Sequence, residues 1–193
     1  MEKLIFATNN QHKVDEVRIA LANRFEICSL QEAGITIDIP EPHDTLEKNA
    51  QEKASTIHKL TGKNCFSEDT GLEVQALNGQ PGVKSARYAG EECSFEANIK
   101  KLLNSMAGMD ERRARFRTVI SLILNEKEFQ FEGICEGRIT REKRGESGFG
   151  YDPVFVPNGS DLTFAEMNKQ EKNEFSHRKK AMDKMITFLK RLA

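Results

Sequence analysis

Surplus charge is what this 193-residue sequence has least of: 29 Lys and Arg stand against 30 Asp and Glu, a formal net charge of -1. That removes the global positive field with which a protein draws in nucleic acid, so any polyanion is held by a few local cations. Cysteine is sparse, and Cys28, Cys65, Cys93 and Cys135 are dispersed with no C-x-x-C pair. This fits neither a zinc site nor a disulfide framework and suits a reducing cytoplasm. No apolar run approaches membrane-spanning length. The first strand-like segment begins so close to Met1 that no signal peptide is expected ahead of it. Linkers, repeats and low-complexity tracts are missing too, and the glycine-rich "KRGESGFGYDP" is too short for an interdomain tether. One domain over 1–193 is expected, long enough to bury a sizeable core and to form two closely joined lobes.

What is present is a succession of short strands and amphipathic helices. Leu4 to Thr8 is an apolar run suited to a buried strand, and Val14, Val17, Ala20 and Leu21 then follow helical spacing. "FEICSL" predicts a second strand. "DTLEKNAQEKASTIHKLTG" predicts a helix with Asp44 as N-cap, Glu47 completing a capping box, Leu46, Ala50, Ile57 and Leu60 on one face and Gly62 as C-cap. "NCFSED" predicts a strand ending at two acids, and "LEVQAL" another. Phe95, Ile99, Leu102, Leu103 and Met106 form a helical stripe that ends at Gly108. "ARFRTVISLIL" and "EFQFEGICEGRIT" predict an antiparallel hairpin turning near Asn125. A last helix has Ala181, Met185, Phe188, Leu189 and Leu192 facing inward. Alternation in the first half and direct strand pairing in the second argue for α/β with a mixed sheet.

Four stretches carry chemistry. "TNNQHK" leads into a helix N-terminus, where free N–H groups and the dipole favour an anion. Thr8, Asn9 and Asn10 add donors and Lys13 a charge; equally, the asparagines simply cap the helix. It is not a Walker A loop. Glu68 and Asp69 are adjacent carboxylates, costly to ionise together unless a partner holds both charged. A hard divalent cation such as Mg²⁺ does so, and Glu41 is a third acid that could converge on it. Otherwise Glu68 is exposed and Asp69 caps the turn at Gly71. "SGFGYDPVF" joins glycine-permitted bends to Phe149, Tyr151 and Asp152, a backbone that can pass beside a flat base with a ring to stack on it. In "EKNEFSHRKKAM", Ser176 is the expected N-cap, which puts His177 and Arg178 in a first helical turn. Cations there oppose the helix dipole unless an anionic or electron-rich partner offsets the cost.

Together these stretches resemble the inosine triphosphate pyrophosphatase family, over nearly the whole length from "FATNNQHKVDEV" through "SEDTGLEVQALNGQPGVKSARYAG" and "GFGYDPVF" to "TFAEM" and "EKNEFSHRKKAM". The resemblance implies a cytoplasmic homodimer of α/β subunits. Each would have an elongated central mixed sheet flanked by helices, and two lobes with the active-site cleft between them. It implies Mg²⁺-dependent conversion of non-standard purine triphosphates (XTP, ITP, dITP) to monophosphate and pyrophosphate; the near-neutral charge and the lack of a spanning apolar run add the expectation of no nucleic acid or membrane partner. By position, Thr8, Asn9, Asn10, Gln11, His12 and Lys13 would hold the phosphates. Asp69 would be catalytic acid group, metal ligand and general base, with Glu41 and an auxiliary Glu68 as further ligands and Thr70 touching the substrate. Phe149, Gly150, Tyr151 and Asp152 would form the base pocket, Lys172 would reach phosphate or base, and His177 with Arg178 would read the base edge. "PEPHDT" departs from the Glu-Glu-Thr-Gly stretch of many relatives, and Glu68-Asp69-Thr70 replaces two aspartates and a serine. The competing readings are a Maf-type pyrophosphatase for other nucleotides and a nucleotide sensor without turnover.

Overall fold

Strands and helices alternate as expected up to residue 61 and then give way to long paired strands. The structure, a computed structural model, describes residues 2–21 and 25–192. The inward orientation expected of Ala20, Leu21 and Leu192 falls outside the described side chains. In chain order the elements are β1 (Glu2–Phe6), α1 (Gln11–Leu21), β2 (Phe25–Ser29), α2 (Leu46–Thr61), β3 (Cys65–Val74), β4 (Pro81–Gly82), α3 (Phe95–Ser105), β5 (Arg113–Leu124), β6 (Lys127–Ile139), β7 (Phe155–Pro157), α4 (Lys169–Phe175) and α5 (His177–Leu192). The strands pair in the order β2-β1-β3-β5-β6-β7, with β4 on β3. β1 is parallel to both β2 and β3, while β4 and β7 pair antiparallel with β3 and β6. The sheet is therefore mixed and the fold α/β.

The chain divides into two compact units, one from 1–69, 118–133 and 178–193, the other from 70–117 and 134–177. In the first, the period-2 alternation of β1 sorts side chains onto two faces. Leu4 and Phe6 join Phe66, Ile120 and Leu122 against Val14 and Val17 of α1 and Ala181, Met182 and Met185 of α5. Ile5 and Ala7 join Cys65 and Ile123 against Ala54 and Ile57 of α2. Phe6 and Phe66 stack with centroids 4.4 Å apart. In the second unit, Leu72, Val74, Phe116 and Ile139 pack on Ile99 and Leu102 of α3, on Met106 at its C-cap and on Phe155 and Phe164.

Several expectations need correction. β3 does not stop at the acids: it runs unbroken from Cys65 to Val74, because apolar Leu72 and Val74 continue the buried pattern beyond the polar pair. The N-cap of α2 is Thr45 rather than Asp44. Thr45 has the extended conformation a cap requires, and its hydroxyl accepts from Lys48 N at 3.3 Å. Leu60, expected on the inner face, is exposed at the last turn of α2. Phe95, expected on the inner stripe of α3, is also largely exposed. The short helix α4 was not expected, although Asn168 and Glu171 spell a capping box that the structure forms. The hairpin turn lies at Asn125 and Glu126, both at positive φ, as a two-residue turn matching strand twist demands.

Candidate active site

The loop after β1 is carried beside β3 by a hydrogen bond from Ala7 N to Phe66 O, 2.8 Å, and α1 starts there. Asn10 does cap α1: its Oδ1 accepts from Lys13 N at 3.4 Å, and its own N–H reaches Thr8 Oγ1 at 3.2 Å. Asn9, Gln11 and His12 are exposed, with Gln11 bonded to Asp15. Lys13 turns to the sheet, its Nζ 3.2 Å from Glu68 Oε1.

Because β3 continues through the acids, Glu68 and Asp69 project from opposite faces of one strand. On the face shared with α1 and α5, Glu68 is fully buried and meets two cations. Arg178 Nε donates to Glu68 Oε1 and Oε2 at 2.8 and 2.9 Å, and Lys13 is the second. Burial works to raise the Glu68 carboxyl, but Arg178 and Lys13 outweigh it and hold the group below the usual carboxylate range. The anionic partner that a cation in the first turn of α5 requires is thus Glu68. Arg178, expected at the base edge, is 4% exposed and committed to this carboxylate.

On the face shared with α2 the balance is reversed. Lys53 Nζ donates to Glu41 Oε1 at 2.6 Å and to Asp69 Oδ1 at 3.0 Å, so two carboxylates converge on one ammonium. Burial would lower Lys53, yet Asp69 and Glu41 hold it protonated. Burial pushes Asp69 up; Lys53 and Lys13 oppose this, the like charge of Glu41 adds to it, and the balance leaves Asp69 a weaker acid than usual. Lys53 was not singled out from the sequence. It falls on the inner face of α2, between Ala50 and Ile57, and a lysine on that apolar stripe was the available signal.

The expected set of three acids, Glu41, Glu68 and Asp69, does not gather. Among the described residues no group of three His, Cys, Asp or Glu side chains could hold a metal ion, since strand alternation sends Glu68 away from the other two. Glu41 and Asp69 nonetheless suit a hard cation: their oxygens already meet at one positive charge and leave one negative charge over. Magnesium is commonly held by one or two carboxylates completed by substrate phosphates.

In the second unit, Asp152 organises a separate cluster. Its Oδ2 accepts from Phe149 N at 2.9 Å and from Lys172 Nζ at 2.8 Å. Lys172 Nζ lies 5.1 Å from the Phe149 ring centroid, and Phe95 approaches the same ring at 6.2 Å. Gly148 has φ +81, and a Cβ there would fall 2.1 Å from Asp152 Oδ2, so only glycine lets the carboxylate close the loop. Gly150 is also at positive φ. Tyr151 is buried and donates from its hydroxyl to Ser85 O at 2.8 Å, a packing role rather than an open pocket wall. His177 stacks on Phe116 with centroids 4.7 Å apart and rings 12° from parallel. Thr70, the next residue along β3 after Asp69, is partly buried.

Comparison with known proteins gives concordant results. A model described as the Ham1 family matches residues 4–188. The dITP/XTP pyrophosphatase of Porphyromonas gingivalis is 53% identical over 190 residues, covering 98% of both chains. That of Christiangramia forsetii is 48% identical over 97% of this chain and 98% of its own. The solved Ham1 protein of Staphylococcus aureus superposes with a TM-score of 0.91 at 38% identity, covering 100% of each chain.

Proposed function

The chain belongs to the Ham1 family, and from that membership and its charge arrangement we propose that it hydrolyses non-standard purine nucleoside triphosphates, XTP, ITP and dITP, to the monophosphate and pyrophosphate. Its curated relatives carry the name dITP/XTP pyrophosphatase. The observation that carries the reading is the division of charge at β3. The Glu68 face holds two cations against one carboxylate, and the Asp69 face two carboxylates against one cation. The first is suited to a phosphate and the second to a divalent cation, the two charges that phosphoryl chemistry must manage.

Lys13, Thr8, Asn10 and the N-terminus of α1 are assigned to the phosphates. Asp69 and Glu41 are assigned to Mg²⁺, which when bound supplies charge neutralisation and Lewis-acid polarisation of phosphate oxygens. Asp69 is also assigned as the general base, taking the proton of the attacking water on a carboxylate oxygen. Lys53 holds Asp69 and Glu41 at a common point. Arg178 keeps Glu68 ionised, so Lys13 stays partnered at the start of α1 with a positive charge over. The purine is assigned to Phe149, with Lys172 above the ring and Asp152 fixing both. His177 is assigned to the base edge; Arg178, committed to Glu68, is not. A homodimer and a cytoplasmic location belong to the same proposal; no helix among the described residues is long and apolar enough to cross a membrane.

The test is a substrate panel. Purified protein with Mg²⁺ is given XTP, ITP, dITP, GTP, ATP and modified pyrimidine triphosphates, and pyrophosphate is measured. Release from XTP, ITP and dITP ahead of GTP, ATP and the pyrimidines supports the proposal. Binding of ITP without release from any nucleotide replaces it with the sensor reading, and preferential release from modified pyrimidines with the Maf-type one.

A further inference from the structure

Glu41 lies in "IPEPH", a segment outside regular secondary structure, yet its carboxylate meets Lys53 at 2.6 Å. Something must fix the loop. Pro42 has a locked φ and biases Glu41 toward extended backbone, and Pro40 stiffens the other side. The stiff segment is then tied down at its far end. Asn49, on α2 one turn before Lys53, is 1% exposed. Its Oδ1 accepts from His43 N at 2.9 Å and its Nδ2 donates to His43 O at 3.0 Å. Both ends of one carboxamide are spent on the backbone of one residue, as a neighbouring strand would spend its peptide group. Asparagine is a poor choice for a helix interior on propensity alone, so its place on the buried face answers to this contact.

We infer that Asn49 is a positioning residue: by clamping His43 it sets, through the rigid Glu41-Pro42 step, where the Glu41 carboxylate meets Lys53 and Asp69. The inference rests on the reading of Glu41 and Asp69 as the cation-holding pair. The sequence departure at Pro42 and His43 then has a structural use, since a proline step transmits the clamp where a flexible residue would absorb it.

The test uses the full chain, free of nucleotide, with Mn²⁺ alone as the probe and its affinity read by electron paramagnetic resonance. Asn49→Ala is expected to weaken Mn²⁺ binding about tenfold, the lower end for residues that orient metal ligands. The Mg²⁺ concentration for half-maximal pyrophosphate release from ITP should rise similarly, with KM for ITP at saturating Mg²⁺ within about twofold of wild type. In a Glu41→Gln background the same substitution should change Mn²⁺ affinity no further, because its effect passes through Glu41. Pro42→Gly, at an exposed position, should weaken Mn²⁺ in the same direction by a smaller factor and carries the test should Asn49→Ala fail to fold. Wild-type Mn²⁺ affinity in Asn49→Ala, or an equal loss in both backgrounds, overturns the inference while leaving Glu41 as a ligand. If Glu41→Gln itself leaves Mn²⁺ affinity and Mg²⁺ dependence unchanged, the reading of Glu41 falls and the inference with it.

Discussion

Glu68 and Asp69 are joined by one peptide bond, yet the two faces of β3 on which they sit are electrostatic opposites. Glu68 is outnumbered by cations and held strongly ionised; Asp69 shares a single cation with Glu41 and is pushed toward protonation. A carboxylate that must stay charged to anchor Lys13 and Arg178 is a structural anion. Asp69, opposed by burial and by the like charge of Glu41, has no such surplus of cations holding it ionised. The cost of adjacent acids is thus reduced geometrically, by strand alternation, before any ligand binds.

Four substitutions test that contrast. Asp69→Asn should lower kcat by about 10²- to 10⁴-fold, the range for loss of a general base. ITP binding measured calorimetrically should be largely retained, and the melting temperature should stay close to wild type because the repulsion with Glu41 is relieved. Undiminished turnover would remove Asp69 from the chemistry. Arg178→Ala should cost about 3–5 kcal/mol of stability in denaturant melts, since it strips a buried carboxylate of its guanidinium partner. An unchanged melt together with altered base preference would restore Arg178 to direct base reading.

Lys53→Met leaves Glu41 and Asp69 facing each other without the ammonium that is ion-paired with both. The metal-free protein should melt lower, and the stability gained on adding Mg²⁺ should exceed the wild-type gain by about 1–2 kcal/mol; equal gains would mean that the pair does not take the cation. The smallest effect is expected at a surface pair. Arg18 and the Ser29 backbone N–H hold Glu32 down to about 2 from an ordinary 4.5. Its folded pKa is depressed, so its contribution is present above pH 4.5 and is lost as the pH falls toward 2. Glu32→Gln should flatten only this acid limb of a stability profile, and solvent screening keeps the change small.

The order of strands and helices was legible because hydrophobic periodicity is a local property. The stripe at Leu46, Ala50 and Ile57 marked α2 correctly, and two long strand-like runs joined by a short turn near Asn125 marked the β5–β6 hairpin. Boundaries were less legible where two chemistries compete. Asp44 and Thr45 are both good caps, and only the path of the incoming chain selects Thr45. The three-residue β7 is too short to show a period at all. Among the candidate residues, Lys13, Asp69, Phe149 and Asp152 were visible in their motifs and Lys172 through the family resemblance, but which charge meets which was not. Lys53 and Asn49 looked like ordinary helix residues because what distinguishes them is burial against another segment.

The sequence alone determined the alternating α/β framework, the presence of two adjacent acids after an apolar run, and the need for an anion beside Arg178. Those follow from local pattern and from elementary electrostatics along the chain. Which cation meets which carboxylate emerges from the packing of the folded chain. Arg178 reaches Glu68 across 110 positions of chain and Lys53 reaches Asp69 across 16, and pairings at such separations are set by how α1, α2 and α5 pack on the two faces of β3.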